Sequence, residues 1–303
     1  MRRIKTYEKS HDYDNTFKTL KNKHAKLFIS VINEAFNKCY PLDSKVEIVS
    51  SEGAFINKIQ STDVNKIEIR QNDFLLRIND DYYLIESQTT DDNTMALRLA
   101  GYTFLAARSS ATYDQERILI PMPNYTVLYV KSTDRTPETT TITYLFPDGS
   151  THDYIAHNVF MKSFSKEDIF KKKLYALIPF YFARYEKELS TATDYQGAIE
   201  DLQFFRNMMD KLLSSKELDG CEAADIADCV KDILRHITDG NNIEQEVVSI
   251  MGGEIYELYS ERLVRETTEK VTAEVTDKVT AEYEEKIEEL KERIAELEKC
   301  QSQ

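Results

Sequence analysis

The chain has 303 residues, 41% of them hydrophobic, no Trp, and a formal net charge of -14. Enough apolar material is present for a sizeable core in one large domain or two smaller ones, which excludes a disordered chain. The first 130 residues balance acids against bases, so the whole acidic excess lies beyond them; that argues against a nucleic-acid platform in the second half, because an acidic surface repels phosphate.

Cys39, Cys221, Cys229 and Cys300 form no C-x-x-C pair, and no two His accompany them at ligand spacing. They read as buried or idle thiols in a reducing compartment, not as a disulfide framework or a zinc site. The opening MRRIKTYEKS has no apolar segment behind its two Arg. No apolar run reaches the roughly 18–20 residues of a membrane span. The expectation is a cytoplasmic protein with no membrane partner.

Along the chain, residues 14–38 are predicted to form a helix. Phe17, Leu20, Leu27, Phe28, Val31, Ile32, Ala35 and Phe36 recur at helical spacing, with Asp14 or Asn15 as the cap and Pro41 as the stop. Lys45–Val49 alternates like a half-buried strand. Residues 50–65 read as a loop, with room for a short strand at Ala54–Ile59. Ile67–Ile78 and Tyr82–Gln88 are predicted to be the two strands of a hairpin, turning at Asn79-Asp80-Asp81, because Asn and Asp tolerate left-handed backbone.

A helix is predicted from Asp91–Asp92 to about Arg108, with Met95, Leu99, Tyr102 and Ala106 as its apolar face. Tyr125–Val130 reads as the strand after it, which makes a βαβ crossover. Thr139–Phe146 and Thr151–Ile155 flank the turn residues Pro147-Asp148-Gly149. From Ser165 the pattern is helical, opening on a Ser165/Asp168 capping box and broken or kinked at Pro179. Further helices fit Ala198–Leu213, Cys221–Ile237 and Ile243–Ser249. After Gly252-Gly253 a long charged helix is predicted over about 254–299. Ile287, Leu290, Ile294 and Leu297 fit a coiled-coil seam, but Val271, Val275, Val279 and Tyr283 repeat every fourth residue. A coiled coil that pairs two copies and a solvated single helix both fit that pattern.

The chemistry concentrates at Asp73, Glu86 and Gln88. Residues two apart in a strand share a face, so Glu86 and Gln88 point the same way. Across a hairpin turning at 79–81, Asp73 falls opposite one or the other, depending on register. Opposed like charges are costly unless something offsets them. A hard divalent cation would do so with oxygen ligands, to which the Ser87 carbonyl adds one more.

These residues belong to an ordered set. Asp14, Phe17, Lys18 and Leu20 form a D-x-x-F-K-x-L string. Glu86 and Gln88 form E-x-Q on a strand. Met95, Arg98 and Tyr102 form M-x-x-R-x-x-x-Y on the next helix. The set resembles the PD-(D/E)XK nuclease superfamily, and within it the PD-(D/E)XK family transposases related to Rpn-type recombination-promoting nucleases. The resemblance covers roughly residues 10–160; E-x-Q alone is a weak motif, and the ordered set is the specific part.

The resemblance implies an α/β fold with a restriction-endonuclease-like αβββαβ core over 10–160, followed here by a helical region over 161–253 and the long helix over 254–303. It implies cleavage of DNA with Mg²⁺ or Mn²⁺. Asp73 and Glu86 would hold the ion, with the Ser87 carbonyl beside them. Gln88 stands where most of the superfamily has Lys, although this branch commonly carries Gln; it has no charge to offer and no proton to transfer at neutral pH. Lys18 and Arg98 are the candidates for positive charge near a phosphate, and Tyr102 for support. On their own chemistry, Tyr102 and Met95 read as core, Arg98 as a partner for Asp91, Asp92 or solvent, and Lys18 as an i,i+4 partner of Asp14. Lys171-Lys172-Lys173 reads as a solvated helix face, and no role follows for the scattered His. The missing Lys, the acidic second half and the C-terminal helix also suit a second reading: a non-catalytic protein of the same fold, acting in binding or assembly.

Overall fold

The period-two alternation of apolar residues in the first half builds a mixed sheet, and the 3.6-residue alternation that follows builds helices. A computed structural model describes residues 2–49, 52–57, 66–71, 75–89, 95–109, 111–114 and 116–252. Asp73, Asp91, Asp92 and the helix predicted at 254–299 lie outside the described residues. The strands are β1 (Val46–Ile48), β2 (Glu52–Asn57), β3 (Lys66–Gln71), β4 (Leu75–Ile78), β5 (Asp81–Gln88), β6 (Thr112–Asp114), β7 (Arg117–Leu119), β8 (Asn124–Tyr129), β9 (Thr139–Leu145), β10 (Thr151–His157) and β11 (Val159–Phe160). The α-helices are α1 (Arg2–His24), α2 (Ile29–Phe36), α3 (Met95–Ser109), α4 (Lys166–Lys171), α5 (Ile178–Tyr181), α6 (Glu186–Thr191), α7 (Gln196–Ser214), α8 (Gly220–Thr238) and α9 (Glu244–Ile250).

The main sheet has the order β1-β4-β5-β8-β11. β1, β4 and β5 are antiparallel neighbours, while β8 runs parallel to β5 and β11 parallel to β8. A parallel neighbour cannot be reached by a tight turn, so the chain crosses over through α3 between β5 and β8. Asn79, with φ 56°, supplies the left-handed turn residue between β4 and β5. The register pairs Leu75 with Leu84 and Ile78 with Asp81.

That register sorts the side chains into two faces. Leu84, Tyr125, Val127 and Tyr129 lie beneath Met95, Leu99, Tyr102 and Ala106 of α3, and Ile142 and Ala156 of the β9–β10 hairpin close the same cluster. Leu76, Ile78, Tyr83, Ile85 and Leu128 alternate with them and are also buried. Phe36 of α2 meets Tyr83 there, ring centroids 5.0 Å apart, so helices cover the second face. Each such buried side chain is worth about 1.5–3 kcal/mol of transfer free energy. The Tyr125 hydroxyl lies 2.8 Å from both the Thr140 and Tyr154 carbonyls, and so ties the β9–β10 hairpin to the sheet.

Several elements differ from the sequence expectation. Ile67–Ile78 is not one strand: β3 pairs with β2 in a separate two-stranded sheet, and β4 joins the main sheet. β2 falls on the short strand expected at Ala54–Ile59 and begins two residues earlier. The first helix begins at Arg2, so Asp14 and Asn15 sit inside it and do not cap it. The apolar stripe from Phe17 marks where that helix becomes buried, not where it starts; Tyr13, Phe17 and Leu20 are wholly buried. A 3₁₀ turn over Ala25–Phe28 separates α1 from α2, and Asn37 in the left-handed region (φ 50°) ends α2 before Pro41 is reached. Pro179 lies in the first turn of α5, where a missing N–H costs nothing, so it starts a helix and does not kink one. The β6–β7 hairpin and β11 have no counterpart in the sequence expectation, whereas α6 falls in the stretch expected to be helical from Ser165. The expected Ser165/Asp168 capping box is present.

The helical region packs back onto the N-terminal helix. Phe17 meets Phe28 and Phe180 at 5.2 and 5.9 Å. Asp225 of α8 bonds His24 and Lys23, both at 2.7 Å. Asp201, buried on α7, accepts from Lys166 at 2.5 Å, Tyr185 at 2.6 Å and Tyr181 at 2.7 Å. Two of the three expected solvated lysines are ion-paired, Lys172 with Glu34 and Lys173 with Glu217, both at 2.5 Å. The chain divides into two compact units, Met1–Gly252 and Gly253–Gln303. Among the described residues no helix is long and apolar enough to cross a membrane.

Candidate functional site

β5 carries polar residues into a buried position at its C-terminal end. After Leu84 and Ile85 the strand continues Glu86, Ser87, Gln88, and their exposures are only 3%, 5% and 6%. An unbroken run of buried positions is what a strand with neighbours on both sides and helices on both faces requires. Leu84 faces α3, so the alternation directs Glu86 and Gln88 to that same face and Ser87 to the opposite one. Burying a carboxylate there is unfavourable unless it is paired.

The partner comes from α3. Arg98 stands one turn into the helix, between Met95 and Tyr102 on the side turned to the sheet. Its Nη2 donates to Gln88 Oε1 at 2.7 Å and lies 3.9 Å from Glu86 Oε1. The same nitrogen is 3.7 Å from Met95 Sδ. Helical side chains lean toward the N-terminus, which brings this guanidinium back over the strand end. A quarter of the Arg98 side chain is exposed, so the site opens to solvent on the α3 side. Arg98 Nε is buried without an acceptor among the described residues.

The structure therefore brings together Glu86, Gln88 and Arg98. It puts Tyr102 and Met95 in the core around them, 6% and 4% exposed. Arg98 meets the strand and is a quarter exposed to solvent; Asp91 and Asp92, its other expected partners, lie outside the described residues. The Ser87 side chain faces away from Glu86 and Gln88, which leaves its backbone carbonyl, the oxygen expected as a ligand. The Gln88 carbonyl accepts from Val130 N–H at 2.9 Å, and strand alternation turns the Ser87 carbonyl to the opposite, β4 side. Lys18 is half-buried on α1, and none of the hydrogen bonds or ion pairs among the described residues joins it to Glu86, Gln88 or Arg98. Asp73 lies outside the described residues.

A carboxylate and an amide oxygen on one face are hard donors, which fit Mg²⁺ or Mn²⁺ and not a soft metal. Among the described residues, no group of three His, Cys, Asp or Glu side chains is placed to hold a metal. A complete site therefore needs a ligand from elsewhere, and Asp73 is the residue the sequence offers.

A wider cleft of about 610 Å³ lies between α1 and α8, lined by Asp225, Asp228, Asp232 and Asp239 together with Lys23, Cys229, Arg235 and His236. Sequence reasoning gave these acids no role, and three of them are spent locally. Asp225 holds His24 and Lys23, Asp228 pairs with Lys231 at 2.5 Å, and Asp232 with Arg235 at 2.9 Å. Burial pushes the Asp225 carboxyl up, but hydrogen bonds from His24 and Lys23 outweigh it and hold the group below its ordinary value. The cleft is an interface between helices with a charged rim.

No known protein-family model matches the chain, and neither does any curated protein or solved structure.

Proposed function

We propose that the chain is a metal-dependent DNA endonuclease-like protein of the PD-(D/E)XK type, associated with transposition or recombination. The observation that carries this reading is the meeting of Glu86, Gln88 and Arg98. They come from two separate strings of the ordered motif set, and they converge at one buried strand end. The order of elements supports it as well. A helix, three antiparallel strands, a crossover helix and a parallel strand follow in the αβββαβ order that a restriction-endonuclease-like core requires, with the β2–β3 hairpin as an insertion after the first strand.

In this reading Glu86 and Asp73 hold a divalent ion, which when bound polarises the phosphodiester and lowers the pKa of water. The reading requires the Leu75–Leu84 register to continue two residues further, which sets position 73 against Glu86. Gln88 orients through its amide. Arg98 supplies the positive charge that the strand itself lacks, at a point where a phosphate oxygen can reach it from solvent. The test is nicking of supercoiled plasmid in Mg²⁺. Asp73→Ala and Glu86→Ala should each abolish it, and unchanged nicking in both removes the assignment.

One observation favours the non-catalytic alternative. Arg98 already offsets the Glu86 charge, so the buried carboxylate is tolerated without an ion. Calorimetric titration separates the two readings: no binding of Mg²⁺ or Mn²⁺ at millimolar concentration selects the binding or assembly module.

A further inference from the structure

We infer that the free edge of β9 is a strand-pairing surface, and that its occupant is β9 of a second copy of this chain, running antiparallel across a two-fold axis. Among the described residues β9 borders β10 and no other strand. Its ladder to β10 continues into a bond at each end, Phe146 N–H to the Ser150 carbonyl and Asn158 N–H to the Glu138 carbonyl, both at 2.9 Å. Bonded positions alternate along an antiparallel pair. Even-numbered residues of β9 therefore bond β10, and the backbone groups of Thr141, Thr143 and Leu145 point the other way. Among the described residues no hydrogen bond reaches those backbone groups. The far edge of β10 differs, because Thr126 of β8 donates to the His157 carbonyl there at 2.6 Å.

Open edges invite other strands, and proteins guard them with charges, prolines, bulges or short strands. The main sheet is guarded by length: its outer strands β1 and β11 have three and two residues. β9 has seven, carries no charge and no proline, and pairs with β10 without a bulge. The chain bears a net charge of -14, so two copies repel over much of their surface, and an uncharged edge is where they can meet. Self-pairing also covers what one copy leaves bare. Leu145 and Ile155 lie on the outer face of the hairpin and are 75% and 53% exposed. They stand at opposite ends of it, since Leu145 pairs with Thr151 and Ile155 with Thr141. A two-fold axis at Thr143 sets that residue against its own counterpart and Thr141 against the second copy's Leu145. Ile155, Thr141 and the second copy's Leu145 then form one row, and the same row recurs across the axis. No two charges are direct neighbours in that register, and about six backbone hydrogen bonds close it.

The experiment is analytical ultracentrifugation of the full chain at micromolar concentrations, on the wild type and Thr143→Lys. Thr143 is exposed and bonds Asp153 at 2.7 Å; a lysine there keeps Asp153 as its partner, so the hairpin is retained. The wild type should be a dimer that dissociates on dilution. Thr143→Lys sets two lysines side by side at the axis and should weaken the dimer on the order of tenfold or more. Residue-resolved amide exchange reads the same samples in a second way. The amides of Thr141, Thr143 and Leu145 should exchange fast in dilute wild type and gain protection with the dimer, while those of Thr140, Ile142 and Tyr144 stay protected throughout. A monomeric wild type overturns the inference and leaves the edge to a strand from another protein. A dimer that Thr143→Lys does not weaken, or one in which the three amides gain no protection, overturns it too and puts the contact elsewhere. Should Thr143→Lys fail to fold, the exchange pattern of the wild type decides alone.

Discussion

Arg98 on α3 and Gln88 on β5, ten residues apart, are joined by one 2.7 Å hydrogen bond from Nη2 to Oε1. That bond crosses from the crossover helix to the sheet and fixes where the helix begins relative to the strand end. Gln88→Ala removes the acceptor and leaves a partly buried charged donor without it. A loss of about 1–2 kcal/mol is expected, since the donor is not fully cut off from water. Urea denaturation of the two proteins should show the difference in the midpoint with an unchanged slope.

Asp201 carries a pH dependence of known sign. Burial alone would raise its pKa, but bonds from Lys166, Tyr185 and Tyr181 outweigh that, and the carboxyl is held below its ordinary value. A group with a depressed folded pKa contributes its stability fully above the unfolded pKa of about 3.9 and loses it as pH falls through the folded value. The loss therefore falls below about pH 4. Asp201→Asn should be destabilised at pH 7 by roughly 1–3 kcal/mol, because three donors then share one neutral oxygen. Its stability should also fall less steeply than wild type below pH 4, which thermal melts across pH 2–7 would show. Parallel curves would mean the carboxylate does not titrate in this way.

Tyr125 tests the attachment of the β9–β10 hairpin. Its hydroxyl is the group within hydrogen-bonding distance of two carbonyls at once. Tyr125→Phe keeps the packing against Tyr154, whose ring centroid is 4.5 Å away, and removes only the oxygen. The cost should be about 1–2 kcal/mol, and exchange of the hairpin amides should quicken more than that of β5. Uniform exchange across both would show that the hydroxyl does not tie the hairpin down locally.

The cysteines should differ sharply in reactivity. Cys229 is 4% exposed, and burial pushes its thiol up to about 12. Cys39 is exposed. The thiolate is the reacting species, so iodoacetamide at pH 8 should label Cys39 at least about a hundredfold faster than Cys229 in the native protein. Peptide mass mapping reads each site separately, and equal rates would place Cys229 in a more open environment than the structure gives it.

Much of this was legible in the sequence, for physical reasons. Period-two alternation and turn residues located β5, the Asn79 turn and the Pro147–Gly149 hairpin, and the apolar face of α3 was read residue by residue. The E-x-Q spacing alone puts Glu86 and Gln88 on one face. What could not be read was tertiary. A single apolar run, Ile67–Ile78, serves two different sheets, and nothing in its alternation says where the pairing changes. Asp14 and Asn15 look like caps because capping is inferred from where burial begins, whereas α1 extends beyond its buried part. The Arg98–Gln88 contact joins different elements, and local charge spacing reaches no further than Asp91, Asp92 or solvent. The expected role of Asp73 and the helix at 254–299 lie outside the described residues. A test of that segment is direct: if it pairs two copies, deleting residues 261–303 should reduce the hydrodynamic size by more than the lost mass. A monomer before and after would exclude pairing.

The contact between His24 and Asp225 spans 201 residues of sequence. During synthesis α1 therefore emerges long before the helix that receives it. At roughly 5–20 residues per second, its apolar stripe of Phe17 and Leu20 waits on the order of ten seconds or more for α8. Throughout that interval α1 lacks its partner on α8, and a nascent chain halted before residue 225 should be a client for chaperones that shield exposed apolar helices.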